Sequence, residues 1–233
     1  MTKTQLVCDK TQLNWGLKAA KAIAGKSPYD IIQMRVSQDR DYLYICAVND
    51  KATLVAKVEL LVANVSGEED EIITIDKAKV PALILATAET GKKSEDSRPM
   101  AGICIRGKEV DFTDENGAGR GVDLTTIHRN DSAEIGDPVR TIIRVKQQLA
   151  ETSPCDVTPS PAQITELARA TRYLGGKPKL SMRSYMHEGT ESHRLVAEAT
   201  FWILSVLNVP EALLETEKDK ANIVDAAPIG GIS

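Results

Sequence analysis

The sequence predicts an α+β fold in which an antiparallel sheet carries its helices on one face. Three observations predict it. Segments 31–36, 42–48 and 53–62 are rich in β-branched and aromatic residues and follow one another across short polar breaks, as hairpin-connected strands do. Residues 13–24 and 80–87 carry apolar side chains at helical spacing. With many strands and only two helices in the first 128 residues, the helices must cover one sheet face.

In chain order, 4–8 is a short extended opener. Asp9-Lys10-Thr11 begins a helix whose inner positions are Leu13, Leu17, Ala20 and Ala24, and Gly25 and Pro28 stop it. Gly16 costs that helix about 1 kcal/mol against Ala. Asn14, Lys18 and Lys21 fall on another side. Three strands follow. In the third, Ala56, Val58, Leu60 and Val62 alternate with Lys57, Glu59 and Leu61. After the acidic loop 66–71 and a strand at 72–75, Asp76 caps a second helix over 77–88, with Val80, Leu83, Ile84 and Thr87 inward. Pro81 sits in its first turn, where a missing N–H is tolerated. Strands at 102–106, 109–113 and 122–127 complete residues 1–128 as β-α-β-β-β-β-α-β-β-β.

The polar stretch 128–137 marks a boundary. Beyond it, 139–145 reads as a strand. Ser160-Pro161 opens a helix over 162–174 whose apolar side is Ile164, Leu167, Ala168, Thr171 and Leu174, and Gly175-Gly176 ends it. Residues 179–186 alternate as a strand. Residues 194–209 fit either strands or a helix, and 210–220 a short charged helix. The predicted organisation is a domain at 1–128, a smaller second region at 138–220 and a flexible tail at 221–233.

With 233 residues, 42% hydrophobic and 27% charged, at a net charge of −4, the chain holds one large domain or two of roughly 110 residues and is not disordered as a whole. No run of 18 uncharged apolar residues is present, so no membrane span is expected, and the N-terminus lacks a signal-peptide pattern. Cys8, Cys46, Cys104 and Cys155 form no CxxC pair and read as free thiols in the cytoplasm. A mildly acidic total still permits basic residues to gather on one surface.

No motif makes a positive case for catalysis. Gly117-x-Gly119-x-Gly121 lies between strands with no helix behind it and reads as a hairpin turn. His187 and His193 lack zinc spacing, and Asp123, Asp131 and Asp137 form no tight carboxylate cluster. No cofactor and no metal are expected. Phe201 and Trp202 read as core.

The order of elements in 1–128 resembles one domain of a DNA sliding clamp, the processivity factor of replicative polymerases. The features that carry the resemblance are the opener followed by the Leu13/Leu17 helix, the strand Tyr42-Leu43-Tyr44-Ile45-Cys46-Ala47-Val48 with its turn Asn49-Asp50, the junction Ile72-Ile73-Thr74-Ile75-Asp76-Lys77-Ala78-Lys79-Val80, and the closing hairpin 103–127. Clamps repeat this unit along the chain. Here the second half offers helix 162–174 but no first helix, because 139–148 reads as a strand.

The resemblance implies a non-enzymatic DNA replication or repair accessory factor. It implies a homo-oligomer whose helices offer Lys and Arg to duplex DNA independently of sequence, and which tethers a polymerase or related protein. Lys18, Lys21, Lys77, Lys79, Arg169 and Arg172 are the candidate DNA contacts. Lys18/Lys21 and Arg169/Arg172 share one spacing on two helices. In the apolar tail, Pro228, Ile229 and Ile232 are the candidate partner contacts by the same resemblance. The rival readings are a clamp-like module that binds only proteins, and an enzyme on an unrelated α+β fold.

Overall fold

The computed structural model describes residues 4–65, 71–88, 98–115, 122–130, 135–148, 150–152, 158–187 and 190–207. The Gly117–Gly121 turn, Cys155, Asp131, the helix expected at 210–220 and the tail with Pro228, Ile229 and Ile232 lie outside them. So do most of the acidic loop and the side chains of Asp123 and His187.

The first part of the chain forms β1 (Thr4–Asp9), α1 (Lys10–Ile23), β2 (Ile31–Val36), β3 (Tyr42–Val48), β4 (Ala52–Asn64), β5 (Ile72–Asp76), a 3-10 turn (Lys77–Lys79), α2 (Val80–Ala86), β6 (Met100–Arg106), β7 (Glu109–Asp114) and β8 (Val122–His128). This is the order the sequence predicts. Then come α3 (Pro138–Gln148), β9 (Ala150–Thr152), α4 (Pro161–Leu174), β10 (Lys179–His187), β11 (Thr190–Ala199) and β12 (Trp202–Leu207). Among the described residues the succession strand, helix, three strands therefore occurs three times, at β1–β4, β5–β8 and β9–β12.

Among the described residues all strand pairings are antiparallel. The longest path through the sheet runs β8-β7-β6-β1-β4-β12-β11-β10-β9, with β3 joining β4, and β2 linking β3 to β5. The first unit meets the third where β4 pairs with β12, Ala56 opposite Trp202 and Leu54 opposite Leu204.

Alternation along the strands sorts the helices. Ile45, Leu54, Ala56, Trp202, Leu204 and Val206 point to the face that also receives Leu13 and Leu17 of α1, Val80 and Leu83 of α2, and Ala170 of α4. Ile84 packs at the edge of this core. Cys46, Val55, Val196 and Leu207 point to the other face, where Ile142 and Val145 of α3 cover them.

Four expectations need correction. Residues 139–145 form a helix, not a strand. Asp137 Oδ1 accepts the Arg140 N–H at 2.9 Å, so an Asp cap and a Pro at the first position start α3 despite its β-branched content. The second helix is shorter than expected, because its first turn, Lys77–Lys79, is 3-10. The inner side of α4 is rotated: Gln163, Glu166 and Ala170 are buried, while Ile164 is 54% exposed. Gln163 can face inward because its amide donates to the Val206 carbonyl at 3.0 Å and its Oε1 accepts the Ser160 N–H at 2.9 Å. Finally, Trp202 is buried but Phe201 occupies the β11–β12 turn and is 45% exposed. The ambiguous segment 194–209 resolves, within the described residues, as the strand pair β11 and β12.

Candidate nucleic-acid interface

α1 is held at its start by its own N-cap and at both ends by side chains distant in sequence. At its start Asp9 accepts the Gln12 N–H at 2.8 Å, and Arg98 bridges Asp9 and Glu59 at 2.7 and 2.6 Å. Lys10, itself buried, pairs with Asp114 at 2.6 Å. At its end the Ile23 carbonyl accepts from Asn49 at 2.9 Å, and the Lys77 ammonium sits on the Ala24 and Gly25 carbonyls. A cation at a helix C-terminus opposes the negative end of the helix dipole.

α1 lies against α4 on the sheet. The two helices run antiparallel. Residues 22–24 of α1 share a groove with Glu166 and Arg169, in the first half of α4. At the other level Gly16 of α1 sits over Ala56, which pairs with Trp202, whose indole N–H donates to Gly175 at the end of α4. The groove, about 910 Å³, is lined by Lys26, Lys51, Lys77 and Arg169 and by the acids Asp50 and Glu166. Burial, then the like charges of Arg169 and Lys21, hold the Lys77 ammonium below the usual lysine range. Burial pushes the Glu166 carboxyl up, against the pull of Arg169, which donates to it at 2.8 Å.

The structure treats the six sequence-predicted basic residues unequally. Lys77 and Arg169 line the groove, and Lys21 lies close enough for its charge to act on the Lys77 ammonium. Lys18 stands outward on α1, beside Thr11, Trp15 and Ala22, and Arg172 is exposed on α4 with its guanidinium 5.5 Å from the Tyr173 ring centre. Neither Lys18 nor Lys21 is held by an ion pair or hydrogen bond among the described residues. Lys77 caps α1. Lys79 bridges Asp76 at 2.8 Å and the His128 carbonyl at 3.1 Å, and with Asn130 holds the Asp76 carboxyl below its usual range. Asn14, expected beside Lys18 and Lys21, is buried against α2.

Sequence reasoning missed Lys26 and Lys51, which occupy turns, and Trp15, which is 46% exposed. The stop signal after α1 and the polar break after β3 mark those turns, but nothing local says that they converge. Among the described residues no group of three or more His, Cys, Asp or Glu could hold a metal ion, and no helix is long and apolar enough to cross a membrane.

Helices side by side on one face of an antiparallel sheet, here α1, α2 and α4, with the strand-helix-three-strand unit repeated, define the DNA sliding-clamp fold, and this chain has it, with α3 added on the other face. The solved structures it resembles include the DNA polymerase III beta subunit of Thermotoga maritima (TM-score 0.52, 10% identity, 91% of this chain and 67% of that one). The DNA polymerase sliding clamp of Pseudomonas aeruginosa matches at TM-score 0.52 and 12% identity over 93% of this chain and 67% of that one. The DNA polymerase III beta subunit of Borrelia burgdorferi matches at 0.52 and 7%, over 91% and 68%. No protein-family model matches the sequence, and no curated protein matches it either.

Proposed function

We propose that this protein is a non-enzymatic clamp-like processivity or accessory factor for DNA replication or repair. In this reading α1 and α4 track duplex DNA through phosphate contacts, and the assembled protein tethers a polymerase or related enzyme. The observation that carries it is the antiparallel pairing of α1 and α4 on one sheet face, with Lys18, Lys21, Arg169 and Arg172 on or beside its outward surface. Such a surface neutralises phosphates without reading base edges, so its affinity is dependent on salt and nearly independent of sequence. Lys77 and Lys79 contribute to the local field while serving the fold. Among the described residues three helices lie on that face, α1, α2 and α4, too few to surround a duplex, so encirclement requires several copies. β8 and β9, the ends of the long strand path, are the edges through which copies join. Pro228, Ile229 and Ile232 remain the proposed partner contacts.

The test is a salt titration of binding to two unrelated duplexes, comparing the native protein with a variant carrying Lys18→Ala, Lys21→Ala, Arg169→Ala and Arg172→Ala. Both duplexes should bind alike, and the variant should lose roughly 0.9 of slope in log affinity against log salt for each phosphate contact removed. Equal slopes for the two proteins would leave the protein-binding module as the better reading.

A further inference from the structure

The surface of α1 holds a residue that phosphate tracking does not use. Leu13, Leu17 and Ile23 are almost completely buried, whereas Trp15 is 46% exposed. It stands one turn before Lys18. Because α1 and α4 run antiparallel, Trp15 lies at the level of the C-terminal half of α4, where the Arg172 guanidinium lies 5.5 Å from the Tyr173 ring centre. An exposed indole flanked by cations is a poor partner for a phosphate and a good one for the face of a base. In a duplex the base faces are stacked on one another and only edges are presented. An unpaired base offers its whole face, and aromatic platforms in a basic surface hold single strands in this way.

We infer that Trp15 stacks on an unpaired base, so that the α1–α4 face binds the single-stranded extension of a duplex in preference to a blunt one. This rests on the reading of α1 and α4 as the DNA-contacting face. Lys18 and Arg172 hold the phosphates beside the stacked base, and Trp15 decides which part of the DNA comes to rest there.

The protein reports on this directly. Its other tryptophan, Trp202, is buried, with its indole N–H bonded to the Gly175 carbonyl. Quenching of the exposed emission therefore monitors Trp15. The probes are a blunt duplex and the same duplex with an oligo(dT) overhang. The overhang probe should quench the emission and bind at least about fivefold more tightly, the gain from one stacked base, and the blunt duplex should bind without quenching. Trp15→Leu should lose the preference and keep blunt-duplex affinity with its salt slope. Equal affinity for both probes, or a preference that survives Trp15→Leu, overturns the inference and leaves duplex tracking standing. Failure to bind either probe overturns both. A blue shift of the emission as the protein is concentrated without DNA means that a second copy covers Trp15, and also overturns it.

Discussion

Asn14 of α1 and Thr87 at the end of α2 are joined by a buried hydrogen bond, Nδ2 to Oγ1 at 2.9 Å. The same amide donates to the Ile84 carbonyl at 2.7 Å, and the Thr87 hydroxyl in turn donates a hydrogen bond to the Leu83 carbonyl at 2.7 Å. A short polar network thus fixes α2 against α1 and orients the surface on which Lys18 and Lys21 stand. Asn14→Leu removes both amide hydrogen bonds, leaving the buried Thr87 hydroxyl and the part-buried Ile84 carbonyl without that donor. Loss of about 1–3 kcal/mol is expected, measured as a lower urea midpoint with unchanged slope. A midpoint within error of the native protein would mean that α2 is held by apolar contacts alone.

How far this was legible from sequence differs by element. The first unit was readable because Leu13, Leu17, Val80 and Leu83 repeat at helical spacing between strands that alternate. α3 was not, because Val139, Thr141, Ile142, Ile143 and Val145 have strand propensity, and propensity yields to a cap and to burial of one side. The Asp137-Pro138 pair was the local signal that could have found it. The basic residues were legible as a pattern, but their duties were not. That Lys77 caps α1 while Lys21 faces it depends on contacts between elements far apart in sequence.

Gly16 shows the same limit from the packing side. It weakens α1 as an isolated helix, yet a Cβ there would lie 2.7 Å from Ile45 Cδ1. Gly16 lets α1 approach β3. Gly16→Ala should therefore fail to deliver the roughly 1 kcal/mol that helix propensity offers. In the Ile45→Val background the blocking methyl is gone, and the same substitution should stabilise. A double-mutant cycle by chemical denaturation should give a coupling of at least about 0.5 kcal/mol. Additivity would show that the Ile45 side chain moves aside freely.

Glu166 carries a pH dependence of definite sign. Burial raises its folded pKa above the ordinary glutamate value, Arg169 and Asn49 oppose that shift, and Asp50 adds to it. The folded protein therefore holds this proton more tightly than the unfolded chain. Its contribution is most favourable below the ordinary glutamate pKa and declines as pH rises through the folded value. Glu166→Gln removes that decline. The variant should gain stability relative to the native protein on going from pH 4 to pH 7, and Arg169, half exposed, loses little with its partner. Parallel stability-against-pH curves for the two proteins would show that the carboxyl titrates alike in both states.

The last prediction concerns α3, which straddles the strand seam between the first and third units. Ile142 packs on Cys46 of β3 and Val55 of β4, on one side of the seam. Val145 packs on Val196 of β11 and Leu207 of β12, on the other. Ion pairs pin both ends, Arg35 to Asp137 and Lys146 to Glu198, each at 2.7 Å. α3 therefore works as a strap across the β4–β12 pairing that brings α4 alongside α1. Cys46 lies beneath it, and burial pushes its thiol pKa up to about 12, so in the native protein the thiol is both covered and protonated. Ile142→Ala should cost about 2–5 kcal/mol. Because the loss falls on local opening of the strap, Cys46 should be alkylated faster than in the native protein under folding conditions. Cys8 and Cys104, which lie in β1 and β6 outside the clusters under α3, should keep their native rates. Peptide mass spectrometry after timed labelling distinguishes the three thiols. Equal acceleration at all of them would mean that the substitution opens the whole fold and that α3 does not detach as a unit.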